Sequence, residues 1–256
     1  MDLGISGRAC VVTGASRGIG LAAARALADE GARVLLVSRS EPEELPPGGC
    51  WFEADVTSGG AAERIVEECT RRFGRLDVLV NNAGTSRARS LEELTDSEWD
   101  EQWQLHVMAS MRLMRLAAPG MADRGWGRIV NVGSSSGKRP SLSNAAYSVT
   151  KAAQHALSRV FADTYAGDGV LVNAVAPGPV ESPLWMAEGG LADQAAERSG
   201  VSRDEALEAA RSKIPLGRFG REDEIAWVIA FLCSERASNV TGSTWSADGG
   251  AVPLSI

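Results

Sequence analysis

The strongest constraint on this chain lies near its start. The apolar run Ala9–Thr13 leads into a turn holding Gly14, Ser16, Arg17, Gly18, Ile19 and Gly20, and the turn opens an alanine-rich stretch from about Ile19 to Glu30. A strand, a GxxxGxG turn and a helix in immediate succession form a phosphate-binding corner. Glycines let the turn be tight and let the backbone approach a pyrophosphate, while the helix start offers free N–H groups and the positive end of its dipole. Gly31 stands where this helix should stop. Continuous Val, Ile and Leu runs follow at Val34–Val37, Leu76–Val80, Ile129–Val132 and Val170–Val175. Their lack of alternation predicts strands buried on both faces, hence a parallel sheet under helices. The resulting fold class is α/β, a Rossmann-type doubly wound parallel sheet with helices on both faces, in a single domain over 1–256.

Two stretches break the strand–helix rhythm. Between Arg39 and Asp55 lie Pro42, Pro46, Pro47, Gly48 and Gly49, too short and too rich in helix breakers for a crossover helix. A loop leading into a short strand at Cys50–Ala54 is expected there. Over 181–218, two helix-like segments, about Leu184 to Arg198 and Ser202 to Lys213, read as an insertion capping a site, with Ser202 and Glu205 spaced as a capping box. Trp185 and Met186, at its start, either contact substrate or pack the cap down. Trp99, Trp103 and Trp126 are expected in helix packing or subunit contacts, and His155 in a structural or interfacial role.

The end of the second strand is where a dinucleotide fold reads the adenosine ribose, commonly with a carboxylate on the 2′-hydroxyl. Here Ser38 and Arg39 occupy that corner and Arg17 faces it from the glycine turn. Two guanidiniums, a hydroxyl and no acid suit a 2′-phosphate, so NADP(H) is the expected cofactor, with NAD(H) as the alternative.

Tyr147 and Lys151 are four residues apart, which places a phenol and an ammonium on one helix face. A neighbouring ammonium favours the phenolate, and a phenol so tuned exchanges a proton near neutral pH. The wider composition narrows the alternatives. With 26 Lys and Arg against 33 Asp and Glu, a net charge of -7 and no basic block, the chain is a poor fit to nucleic acid or an anionic membrane. Met1-Asp2-Leu3-Gly4 lacks the start of a signal peptide, and Cys10, Cys50, Cys69 and Cys233 are scattered, so a cytoplasmic protein with reduced thiols is expected. His106 and His155 are the only histidines, which gives no basis for an imidazole or thiolate metal site.

Together these residues resemble the short-chain dehydrogenase/reductase family in its single-domain form. The likeness covers nearly the whole chain and also rests on Asp55-Val56, Asn81-Asn82-Ala83-Gly84, Pro177-Gly178-Pro179-Val180 and the run Gly242–Gly250. Val172–Gly178 and Ile214–Arg218 look most like the branch of 3-oxoacyl-thioester reductases. The resemblance implies that Tyr147 is the acid/base, that Lys151 lowers its pKa and holds the nicotinamide ribose, and that Ser134 polarises or orients the substrate carbonyl. It implies further that Asp55 and Val56 flank the adenine, that Asn82, Ala83 and Gly84 line the adenosine and ribose side, and that Pro177, Gly178, Val180 and Ser182 hold the nicotinamide.

His106 is a departure, since the family usually has Asn there, with its main-chain carbonyl holding a water bound to the Lys. Either the His106 carbonyl keeps that role, or the imidazole joins the proton relay, or activity is reduced. The expected function is reduction of a ketone, a 3-oxoacyl thioester or related carbonyl, with NADPH. The alternatives are an NAD(P)-dependent dehydrogenase of a secondary alcohol such as a sugar, steroid or cyclic diol, and a non-catalytic cofactor-binding regulator. The partners implied are a small carbonyl or alcohol substrate and further copies of the chain, as a homodimer or homotetramer.

Overall fold

The computed structural model describes residues 2–253. Seven strands, β1 (Ala9–Thr13), β2 (Arg33–Ser38), β3 (Gly49–Glu53), β4 (Val78–Asn81), β5 (Gly127–Val132), β6 (Val170–Pro177) and β7 (Thr244–Ala247), form one sheet in the order β3-β2-β1-β4-β5-β6-β7. Every pairing is parallel, and the order reverses direction beside β1, which pairs with β2 through Val11↔Leu35 and with β4 through Val11↔Leu79. A parallel sheet needs cover on both faces. Helices α1 (Gly18–Asp29), α2 (Ala61–Phe73), α3 (Asp96–Trp103), α4 (Ala109–Ala122), α5 (Ala145–Tyr165), α6 (Pro183–Met186), α7 (Leu191–Ser199), α8 (Arg203–Arg211) and α9 (Glu222–Leu232) include the covering layers.

Successive strand residues feed opposite cores. Cys10, Val12, Leu36, Val80 and Val130 pack with Ala23, Ala24 and Leu27 of α1 and Ile225 and Ile229 of α9. Val11, Leu35, Leu79 and Ile129 pack with Ile65 and Cys69 of α2, Leu113 and Met114 of α4 and Ala162 of α5. Each fully buried large aliphatic contributes about 1.5–3 kcal/mol of transfer free energy. The alanines of α1 let that helix lie close on the strands.

The expected strands are present with small shifts at their ends. The β2–β3 connection carries no helix, as its prolines and glycines predict. β4 starts at Val78 rather than Leu76; the backbone of Asp77 just before it already bonds to Ala9 and Arg128 of the flanking strands, and its carboxylate accepts the Ala9 N–H. The first cap helix, expected as one piece from Leu184, is broken into α6 and α7. Gly189 has φ +69°, a left-handed value that interrupts helix, and Gly190 is the N-cap of α7. Ser202 and Glu205 make the capping box of α8. Strand β7 had no strand signal in the sequence, since Thr244-Trp245-Ser246-Ala247 is short and half polar; it pairs only with β6.

Trp126 precedes β5, at the opposite end of the strands from the glycine turn. The guanidiniums of Arg8 and Arg128 lie 3.6 and 4.5 Å from its ring centroid, and its Nε1 donates to Glu235 Oε1 at 2.7 Å. No helix among the described residues is long and apolar enough to cross a membrane.

Candidate active site

The loops after β1 and β4 meet at the sheet's switch point, where α/β sheets open a ligand crevice. Asn82 welds the two together. Its Nδ2 donates to the carbonyls of Thr13 (2.9 Å) and Gly14 (3.1 Å), while the backbone N–H groups of Asn82 and Ala83 donate to Thr13 Oγ1 at 3.0 and 3.1 Å. Gly14 has φ +63°, and a Cβ there would stand 2.8 Å from Ala83 Cα; a Cβ on Gly20 would collide with the Gly14 carbonyl. The turn and α1 therefore touch backbone to backbone, leaving Gly18 facing the crevice. Arg17 is the N-cap of α1 but makes no side-chain cap bond, and the first turn carries no acid. Among the described residues no side chain caps the N–H groups of this helix end, which fits a pyrophosphate. Ser16 and Ile19 are half-buried beside them.

At the adenosine corner Arg17 and Arg39 are exposed, and neither makes a side-chain hydrogen bond or ion pair among the described residues. Ser38 differs from expectation. Its hydroxyl accepts from Trp51 Nε1 (3.1 Å) and donates to Ser40 O (2.8 Å), so its single proton is already engaged. The two guanidiniums are the charged groups at this corner without an engaged partner among the described residues. Asp55 Oδ1 accepts from the N–H and hydroxyl of Thr57; those bonds, aided by Arg39, hold the carboxyl below its ordinary pKa. Val56 is buried in the core.

Across the crevice, β6 ends at Pro177. The Gly178 N–H bonds to Ala247 O, the Gly220 N–H bonds to Pro179 O, and Val180 is buried against the α1–α9 core. Ser182, buried, precedes α6 with no side-chain cap bond. The segment 181–218 contacts the stretch after β4: Gln194 Oε1 of α7 accepts the Ala88 N–H (2.8 Å), and Arg198 pairs with Glu93 (2.8 Å). Trp185 packs edge-on against Phe219, centroids 5.0 Å apart, and so holds the cap down.

Ser134, Tyr147 and Lys151 converge beyond the end of β5. Ser134 Oγ accepts the Ser136 N–H at 3.1 Å, which orients the hydroxyl. Burial raises the Tyr147 phenol above its usual pKa, offset in part by the Ser134 hydroxyl. This reverses the expected direction, in which Lys151 would lower it. The ammonium sits 5.6 Å from the Tyr147 ring centroid and donates instead to Val132 O (2.7 Å) and Gln154 Oε1 (3.1 Å), and burial pulls its own pKa down to about 7.

His106 lies in a single π turn, Gln104–Met108, between α3 and α4, where the Ala109 N–H reaches back to Gln104 O. Its Nε2 accepts the Thr85 N–H (3.3 Å), so the ring proton belongs on Nδ1, 2.9 Å from Thr150 Oγ1. Thr150 in turn donates to Tyr147 O at 2.9 Å. The imidazole stands edge-on to the Tyr147 ring, centroids 5.3 Å apart. His155 lies over Gly133, and its Nε2 accepts the Ser134 N–H at 3.5 Å.

Thr13, Thr85, Ser110, Thr150 and Gln154 escaped the sequence reading. Gln154 carried a usable signal: a long amide three residues after Lys151 shares the lysine's helix face.

Both histidines resist protonation in the folded chain. Burial, then the Lys151 charge, drives His106 well below 6.5 and His155 to about 4. The unfolded chain takes up those protons near 6.5, so the contribution to stability is complete above that value and declines as pH falls toward 4. Denaturant titrations from pH 7 to 4.5 should show this decline, with a shallower slope in His155→Leu; an unchanged slope would remove His155 from the account.

Comparison with known proteins agrees with this geometry. A family model described as enoyl-(acyl carrier protein) reductase matches residues 14–252. The 3-oxoacyl-(acyl-carrier-protein) reductase of Thermotoga maritima is 34% identical over 257 residues, covering 97% of this chain and 99% of that protein. The D-beta-hydroxybutyrate dehydrogenase of Cupriavidus necator is 32% identical over 258 residues, covering 97% and 99%. The L-sorbose reductase of Gluconobacter frateurii, solved with NADPH and L-sorbose, superposes with a TM-score of 0.89 at 34% identity, over 99% of this chain and 100% of that one. The chain belongs to the short-chain dehydrogenase/reductase family and is an NAD(P)-dependent oxidoreductase.

Proposed function

We propose that this protein is an NADPH-dependent reductase of a small ketone, with a 3-oxoacyl thioester as the leading substrate class. The observation that carries this reading is the convergence of Ser134, Tyr147 and Lys151 beside a helix start built to receive a dinucleotide phosphate. Gly14, Ser16, Gly18, Ile19 and Gly20 hold the pyrophosphate; Arg17 and Arg39 hold the 2′-phosphate; Asp55 and Val56 flank the adenine. Asn82, Ala83 and Gly84 line the ribose side, and Pro177, Gly178, Val180 and Ser182 support the nicotinamide. The bound cofactor supplies hydride.

The chain supplies proton, orientation and exclusion of water. Ser134 and Tyr147 receive the substrate carbonyl oxygen between two hydroxyls, and Tyr147 Oη gives its proton to that oxygen as it becomes an alkoxide. A phenol kept protonated by burial is able to act as the acid of the reduction. Lys151 orients the ribose and supports the charge left on Tyr147. The segment 181–218 acts as the substrate cap, latched through Gln194 and Arg198. Trp103 and Val149, exposed on α3 and α5, together with Val160, provide the apolar face for a second copy.

The likeness to L-sorbose reductase supports a second reading, a ketose as substrate. NADPH and NADH oxidation, followed optically against an acetoacetyl thioester, a cyclic diketone, an aromatic ketone and a ketose, tests both. Turnover with NADPH and the thioester supports the first; turnover with the ketose alone replaces it with the second.

A further inference from the structure

The charged end of Lys151 is fixed by a chain of side chains that runs in one sense only. Its ammonium donates to Gln154 Oε1 (3.1 Å), Gln154 Nε2 donates to Ser110 Oγ (2.9 Å), and the Ser110 hydroxyl donates to the His106 carbonyl (2.9 Å). Each direction is forced. An ammonium has no acceptor, which fixes the glutamine amide; a carbonyl has no donor, which fixes the serine proton. Lys151 (3% exposed), Gln154 (1%), Ser110 (5%) and His106 (0%) are all inside the protein. The Gln154 main-chain carbonyl accepts the Ser158 hydroxyl (2.8 Å), and Ser158 Oγ accepts from Asn131 Nδ2 of β5 (2.8 Å), which anchors this turn of α5 to the sheet.

We propose that Gln154, braced by Ser110, is a positioning residue for Lys151: it holds the ammonium between α5 and the His106 carbonyl and keeps it protonated. The inference rests on the reading of Lys151 as part of the reductase site.

Two physical points support it. An amide does not pass a proton along in its ordinary form, so this chain orients and charges Lys151 rather than conducting protons. Lys151 is buried without a carboxylate partner, and its pKa falls to about 7 through burial alone. The ionisable groups facing it are Tyr147 and His155 on its own helix and His106 on the π turn. None of them carries negative charge at neutral pH, so the Gln154 and Val132 oxygens provide the stabilisation of its charge that these contacts show.

The test is a pH series on wild type, Gln154→Met and Gln154→Glu, read two ways. The first readout is the alkaline limb of kcat/KM for carbonyl reduction, which falls as Lys151 loses its proton. Gln154→Met removes an acceptor and should move the limb down by about one pH unit; Gln154→Glu adds a carboxylate and should move it up by at least as much. The second readout needs no activity. Lys151 is less protonated in the folded than in the unfolded chain, so stability rises with pH above its folded pKa, and the onset of that rise in denaturant titrations should shift in the same opposite senses.

Shifts of opposite sign support the proposal. Shifts of the same sign, or none, in variants that still melt cooperatively overturn it and leave Gln154 as packing. Should Gln154→Met not fold, Ser110→Ala provides the arm: a smaller downward shift supports the bracing role and an unmoved limb contradicts it. If wild type reduces none of the carbonyls while the stability onset still moves oppositely in the two variants, the reductase reading fails and the link between Gln154 and Lys151 stands.

Discussion

Tyr147→Phe should lower kcat for carbonyl reduction by about 10²–10⁴-fold, the range a positioned general acid contributes. The substitution removes one oxygen and keeps the ring. That ring is what packs edge-on against His106 and lies 5.6 Å from the Lys151 ammonium, so the surrounding geometry should persist. Removal of the phenol oxygen leaves the Ser134 hydroxyl without its neighbour. NADPH affinity, followed by fluorescence titration, should therefore stay within a few-fold of wild type while turnover collapses. Collapse of both would point to a misfolded site, and retained turnover would remove Tyr147 as the acid.

The second large effect concerns cofactor choice. Arg39→Ala combined with Ser38→Asp should reduce the preference for NADPH over NADH by about 100-fold, because charge-assisted contacts to a phosphate are each worth about 10-fold or more. Most of this change should come from Arg39. Its side chain is exposed at the carboxyl end of β2, whereas the Ser38 hydroxyl is engaged with Trp51 and Ser40. Arg39→Ala alone should produce most of the change, with Ser38→Asp adding a carboxylate that repels the 2′-phosphate. Equal ratios of the two kcat/KM values before and after would contradict a 2′-phosphate at this corner.

Local physics explains which parts of the molecule were readable in the sequence. The glycine turn, the apolar strands and the cap box of α8 are written in contiguous residues, and each follows from backbone sterics or uninterrupted burial. The missing helix between β2 and β3 was readable for the same reason. Strand β7 was not, because Thr244–Ala247 gains its strand identity from pairing with β6 rather than from its own pattern. The break at Gly189 was legible in the Gly189-Gly190 pair, which interrupts otherwise good helix formers.

The site divides in the same way. Ser134, Tyr147 and Lys151 stood out by spacing, but the orientation of each depends on partners distant in sequence. The Lys151 ammonium turns toward Val132 and Gln154, and burial then dominates both its pKa and that of Tyr147. Desolvation is a property of packing, so the expectation that Lys151 lowers the phenol could not have been corrected from spacing alone. His106 posed a choice between imidazole and carbonyl. The structure gives each its own partners: Thr85 and Thr150 for the ring, Ser110 for the carbonyl.

The measurement that tests the central claim most directly is the fate of the hydride. NADPH carrying deuterium at the transferable C4 position is turned over with the carbonyl substrate that the optical assay selects, and the product alcohol is examined by mass spectrometry. The account predicts one deuterium on the carbinol carbon, with Tyr147→Phe abolishing the labelled product. Product alcohol without deuterium, or cofactor oxidation that leaves the carbonyl substrate unreduced, would contradict it.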